Sequence, residues 1–501
     1  MKPSRLTPIT LAALCLLTVG TLLWPATSSA AEPLHGPHLP AAALDAAPRG
    51  GDDTASLKEV IAEAASKGIG VRLKPGATYV TTAELELPDG LTFLDGQGAT
   101  IVAKLPATGE PGNVFRFATH SSGTTLTDVR IDLSGSAEQT RGVLAASVTE
   151  VTISNLEITN SAWRAIDVVA NQGPVRDLSI HHNTISGPQG AEATAGSQAI
   201  SVTSHPKDDR FTGPRSAAWD RFRETGQIAT PEHEASRVVI DSNRIDGGYY
   251  GIALSGATDC TITGNTSTNN ERNLSMQDRS NRNHVRGNDF TESESSAIHL
   301  AYGSSHNVVE HNRISTGRAH GQGLLQAYQG STNNTFRSNR VEAHGDARPS
   351  WFMYVATGSH DTVFEDNTLI GKAGSAVAAA ESIWDTRSAV SRGMKPNPHS
   401  YQGSRTARPG TETKVDFAGG HEDLRNISFT GNTLATTGQP FYLGAEVTLG
   451  PNDTKPAVGN LTGIRISGNQ LKGSGWTTPV VEHRGSLKGV GTAGISYTEK
   501  Q

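Results

Sequence analysis

The sequence predicts an all-β protein built as a parallel β-helix, a solenoid of about 22–28 residues per coil. Three observations carry that prediction. A short pattern recurs: an apolar residue, two small or polar ones, an Asn, a free position, then usually another apolar residue. It is seen in VVIDSNRI (238–245), HNVVEHNRI (306–314), TVFEDNTL (362–369) and IRISGNQL (464–471). The Asn falls at Asn183, Asn243, Asn265, Asn288, Asn312, Asn339, Asn367, Asn432 and Asn469, with spacings of 60, 22, 23, 24, 27, 28, 65 and 37. Such a period marks a solenoid, and the longest spacings suit one turn plus an insertion. Third, apolar residues within each unit keep period two, the period of strands, and no long amphipathic segments interrupt the coils.

In chain order, residues 1–31 read as a signal peptide. MKPSR is a basic start, LTPITLAALCLLTVGTLLW an apolar run, and SSAAE offers small residues for cleavage near Ala30 or Ala31. Cys15, preceded by Leu14, lies deep in the run, a poor place for a lipid anchor. No later stretch approaches the ~18 apolar residues of a spanning helix. The expectation is a secreted chain with no membrane partner after cleavage. Residues 32–50 read as a linker, 51–105 as an N-terminal cap with the first coils, and 106–501 as the β-helix, with long insertions at 204–236 and 381–424. Cys260 is then the remaining cysteine, in the first apolar slot of CTITGN. It reads as a buried thiol, with no disulfide and no cysteine-based metal site. The formal charge of −6 becomes −8 without Lys2 and Arg5, which argues against nucleic acid as a partner.

GDDTASLKEVIAEAASKG (51–68) sets Leu57, Val60, Ile61 and Ala64 at helical spacing, with Asp and Thr before and Gly68 after. A helix there is expected to cover the open first coil. The recurrent Asn reads as structural. It sits at a corner, often after Gly (Gly264, Gly287, Gly431, Gly468), where Asn tolerates unusual backbone angles. Stacked ~4.8 Å apart, its amides bond to those above and below.

Gly51-Asp52-Asp53-Thr54, Pro75-Gly76 with Tyr79, Leu87-Pro88 with Gly90, and Gly96-Gln97-Gly98-Ala99 resemble the opening of the pectate-lyase-like superfamily. With the coils, the resemblance covers most of residues 50–475 and implies a right-handed parallel β-helix. That fold hosts polysaccharide lyases, glycoside hydrolases, uronan epimerases, phage tailspikes and non-enzymes. Locally, NNERNLSMQDRSNRNHVRGNDF (269–290) is similar to the chondroitinase-B and alginate-lyase group, on Glu271, Ser275, Ser280 and Asn281. That group's catalytic Lys is absent, and Gln277-Asp278-Arg279 stands in its place.

Both insertions follow the same upstream strand, AISVT (199–203) and AVAAA (376–380), six coils or roughly 29 Å apart. They hold Arg215, Trp219, Arg221, Trp384, Arg387 and His399, and are expected to wall a cleft over residues 250–370. Counting back from the Asn, the upstream strands point Leu274/Met276, Ile298/Leu300, Leu325/Ala327 and Met353/Val355 inward. The outward column between them is Ser275, His299, Gln326 and Tyr354. Next come Gln277, Ala301, Tyr328 and Ala356, then Asp278 and Tyr302, with Arg279 one position further.

β-Elimination or C5-epimerisation of a uronic acid needs a base, an acid and a carboxylate clamp. The candidates are His299 as base, Tyr328 or Tyr354 as acid, and Arg279 as clamp. Substrate-binding candidates are Ser275, Gln277, Tyr302, Gln326, Glu271, Arg348, Trp219 and Trp384. A hydrolase or glycan transferase would instead pair Asp278 with Glu271, Glu292 or Glu294. The clustered Asp pairs of polygalacturonases and the Asp-Pro-His signature of mannuronan epimerases are missing. No cofactor is required. Ca²⁺ stays open without a supporting carboxylate cluster, and no metal ligand is assigned. The expectation is a monomeric, secreted, carbohydrate-active enzyme on a polysaccharide, a lyase ahead of a hydrolase, with a non-catalytic adhesive β-helix as the alternative.

Overall fold

The computed structural model describes residues 42–204, 233–382, 424–446 and 461–483, apart from 190–192, 195, 302, 319–322, 328–330 and 357–358. The expected signal peptide, nearly all of both expected insertions, and Tyr302 and Tyr328 lie outside the described residues.

The chain is a right-handed parallel β-helix with three strands per coil. Ser296–Leu300, Gly323–Ala327 and Trp351–Ala356 stack in parallel on one side. Val308–Glu310, Thr335–Arg337 and Val363–Glu365 form the second side. Arg313–Thr316, Arg340–Ala343 and the start of Thr368–Ser382 form the third. The period-two pattern fills the interior. Ile240, Ile262, Val285, Val309, Phe336, Phe364, Phe429 and Ile466 lie in one register column. All are buried, each worth roughly 1.5–3 kcal/mol of transfer free energy. The Phe336 and Phe364 rings stack at 4.7 Å and 5°.

The Asn ladder is continuous. Asn183, Asn243, Asn265, Asn288, Asn312, Asn339, Asn367, Asn432 and Asn469 each pass an amide bond to the next at 2.9–3.0 Å. The backbone strain falls one residue earlier than expected. The positive φ belongs to the preceding residue: His182, Ser242, Gly264, Gly287, His311, Ser338, Asp366, Gly431 and Gly468. That explains the frequent Gly, which takes this conformation at no steric cost. A second ladder, unforeseen from the sequence, links Asn283, Asn307 and Asn334 at 3.0 Å.

The helix forms at Thr54–Ser66. Leu57, Ile61 and Ala64 are buried, with Val60 partly buried against the same core. Asp53 precedes it without a side-chain cap bond to the helix. Its carboxylate accepts the N–H groups of Arg49 (2.7 Å) and Val80 (3.1 Å), fastening the helix start to a strand. Within the stretch expected as linker, Ala43–Ala46 pairs in parallel with Gly70–Leu73. The Tyr79 hydroxyl secures it by donating to the Ala46 carbonyl at 2.8 Å. Cys260 is a buried core thiol, and burial pushes its pKa up to about 12.

Candidate functional site

The expected register of the upstream strands holds: Ser275 pairs with His299, His299 with Gln326, and Gln326 with Tyr354. Strict alternation nevertheless misses half of this face. At the corner entering each strand two consecutive residues turn into the core: Ala165-Ile166, Ala199-Ile200, Ala297-Ile298, Leu324-Leu325, Phe352-Met353 and Ala376-Val377. The residue before each pair therefore returns to the outer side. A second outward column results, running through Arg164, Gln198, Tyr250, Arg272 and Ser296, then Gly323, Trp351 and Ser375. Neighbours three apart meet across it. Arg164 Nη1 donates to Asp167 (2.9 Å), and Trp351 stacks on Tyr354 at 4.4 Å and 8°. The sequence signal was the doubled apolar residue in those six coils; after Tyr250 and Arg272 the pairs are Gly251-Ile252 and Asn273-Leu274, which carry no such signal.

His299 lies at the centre of the most connected group. Its Nδ1 is 3.0 Å from Ser275 Oγ, which accepts from Gln277 Nε2 at 2.8 Å. Gln277 Nε2 also reaches the Tyr250 hydroxyl oxygen at 3.3 Å, and Arg272 Nη1 donates to that oxygen at 3.2 Å. The Arg272 guanidinium lies 5.9 Å and 5.7 Å from the Tyr249 and Tyr250 ring centres. Burial first, then the charge of Arg272, hold the His299 pKa well below 6.5, so the imidazole is neutral at neutral pH. In the tautomer where Nδ1 donates to Ser275, Nε2 carries the lone pair that accepts a proton.

One expectation is corrected. The outward face is closed at this point: His299 is 1% exposed, and Ser275 and Gln326 are also buried. Gln326 accepts from Ser296 Oγ at 2.8 Å. Tyr354 lies two coil steps from His299, ~10 Å along the axis. Arg279, expected as the clamp, sits past the strand end at φ 60, half-buried beside Gly303, and burial lowers its pKa. The cation that acts on His299 is Arg272. Asp278 accepts from Ser255 Oγ at 2.8 Å, and Arg348 is exposed in the connection before Trp351. Glu271 is half-buried in the strand with Arg272. Glu292 takes the Gly317 N–H and the His344 ring, and Glu294 takes Arg318 at 2.6 Å. Both glutamates are thus tied up at a corner.

Further along the same column, buried Asp167 receives Arg141 Nε at 2.6 Å as well as Arg164. Burial works to raise its pKa, and the two guanidinium groups outweigh it and hold it below the usual value. Both guanidiniums lie over the Trp163 ring, at 4.6 and 4.9 Å.

The family model described as NosD, periplasmic copper-binding protein, matches residues 226–393, less than half of the chain. Copper does not fit the residues seen there. Among the described residues no three His, Cys, Asp or Glu side chains gather as a metal site needs, and the Cys260 thiol is buried and protonated. No curated protein matches the sequence.

Solved structures share the fold at low identity. A variant of the catalytic domain of a GH87 alpha-1,3-glucanase, in complex with nigerose, has a TM-score of 0.50 at 12% identity, covering 91% of this chain and 69% of that one. The A-module of the Azotobacter vinelandii mannuronan C-5 epimerase AlgE4 gives 0.46 at 14%, covering 89% and 96%. The Streptococcus pneumoniae surface adhesin PfbA gives 0.48 at 12%, covering 86% and 91%. These neighbours thus include carbohydrate-modifying enzymes and an adhesin. What the chain shares with them is the fold, a right-handed parallel β-helix.

Proposed function

We propose that the chain acts on a uronic-acid-containing polysaccharide at the outward face around His299, by removing a proton from the carbon beside the uronate carboxylate. The observation that carries this reading is a neutral imidazole, oriented by Ser275 and joined through Gln277 and the Tyr250 oxygen to the Arg272 cation. A guanidinium that pairs with the carboxylate draws charge from it and acidifies the adjacent C–H. His299 Nε2 takes that proton. In elimination, the C–H electrons form a ring double bond, the glycosidic C–O bond breaks, and the departing oxygen takes a proton from an acid. Tyr250 suits that role, since its oxygen already accepts from two N–H donors and its own hydrogen is left to donate. Arg272 thus replaces Arg279 as clamp, and Tyr250 stands beside the tyrosines expected from the sequence. Substrate must open the covered face to reach the ring. The basic and apolar start of the chain supports an enzyme working outside the cytoplasm.

A second reading, glycan binding without chemistry, is favoured by the burial of His299. The test is to incubate the protein with acidic and neutral polysaccharides, following ultraviolet absorbance and reducing ends together. Both rising supports elimination, reducing ends alone point to hydrolysis, and binding without either favours the second reading.

A further inference from the structure

We infer that Trp351 and Tyr354 form a sugar-stacking subsite two coils from His299, engaging the glycan two units away from the one that reacts. This rests on the proposed function. The two rings lie parallel at 4.4 Å, with Trp351 half-buried and Tyr354 nearly closed. They form a small aromatic cluster apart from the main core, and Tyr442 packs against it. The neighbours of Trp351 along its column are small, Gly323 before and Ser375 after. Gly323 is sterically required: a Cβ there would come within 2.6 Å of Tyr354 Cβ. Tyr354 thus packs over Gly323 and under Trp351, and Trp351, half-buried between small column neighbours, is the ring of the pair that meets solvent.

The occupant follows from continuity with the reactive group. Trp351 and Tyr354 belong to the same two outward columns as Arg272 and His299. Each coil advances ~4.8 Å, close to the length of one pyranose in an extended chain. A polymer running along the axis with one unit at His299 brings the unit two further on over Trp351. The C–H face of a pyranose packs on an aromatic ring as other apolar edges do, and Trp offers the largest ring. The polar partners alongside, Ser296 and Gln326, bond to each other.

The test is titration of oligogalacturonates and oligomannuronates, from disaccharide to hexasaccharide, followed by tryptophan emission and calorimetry. Wild type, Trp351→Ala, Trp351→Phe and His299→Gln are compared, with thermal unfolding as the folding check. The expected result is a gain in affinity of about tenfold once the oligosaccharide spans both sites. Trp351→Ala loses that gain while short oligosaccharides bind as before, Trp351→Phe restores much of it, and His299→Gln keeps it. Equal affinities of Trp351→Ala and wild type at every length overturn the subsite, as does absence of binding by every oligosaccharide. Length-dependent binding through Trp351 without proton abstraction by wild type retains the subsite and removes the proposed chemistry.

Discussion

Asn288 gives two hydrogen bonds to a single atom of the next coil: its side-chain Nδ2 and its backbone N–H both reach Asn312 Oδ1, at 2.9 and 3.0 Å. The same double contact recurs along the ladder, so each amide oxygen satisfies two buried donors. Asn312→Ala leaves the buried Asn288 backbone N–H without its acceptor, leaves Asn288 Nδ2 only the Ile262 and Arg286 carbonyls, and removes the bonds to the Val285 carbonyl and Asn339 Oδ1. The expected cost is about 2–4 kcal/mol, read as a lower urea midpoint at an unchanged slope. Arg282→Ala, which breaks an exposed pair with Asp259, is the control and costs under about 1 kcal/mol.

Asp167 is buried between two guanidinium groups. Asp167→Ala leaves like charges facing each other in a closed space and is expected to cost about 3–5 kcal/mol. Asp167→Ala together with Arg141→Ala recovers part of the loss, since the pair is coupled. Denaturant unfolding of the double-mutant cycle measures it.

Cys260 is closed from solvent with its thiol pushed up to about 12. In the chain without residues 1–31, which removes Cys15, a thiol reagent at neutral pH is expected to leave the native protein unmodified and to label Cys260 fully once it is unfolded in denaturant. Rapid labelling without denaturant contradicts the burial of Cys260 in the core.

The pH dependence of stability follows from His299. Its folded pKa lies well below 6.5, so below ~6.5 the unfolded chain binds a proton that the folded chain does not. The contribution is fully present above that pH and is lost as pH falls toward the folded pKa. His299→Gln is expected to flatten the acid side of the stability–pH curve by up to ~1.4 kcal/mol per pH unit. For catalysis, a base neutral at such low pH puts no acid limb near 6.5 in the kcat/KM profile.

The coil period, the Asn ladder and the pairing of Ser275, His299, Gln326 and Tyr354 were legible because solenoid register repeats in the sequence. Arg272, Tyr250 and Trp351 were missed for a local reason. Period-two counting assigns them to the interior, and only the doubled inward residues at the corner, such as Phe352 and Met353, reverse that assignment. The burial of His299 was not legible either, because alternation gives the direction of a side chain and says nothing of what covers it.

Proton exchange at the carbon beside the uronate carboxylate tests the central claim most directly. Uronan oligosaccharides are incubated in deuterium oxide with wild type, His299→Gln and Arg272→Ala, and product deuterium and unsaturation are read by mass spectrometry and NMR. The account predicts unsaturated ends or deuterium at that carbon with wild type, and a fall of about 10²–10⁴-fold in both variants with the fold intact. Turnover by His299→Gln at the wild-type rate, or new reducing ends with neither unsaturation nor exchange, contradicts it.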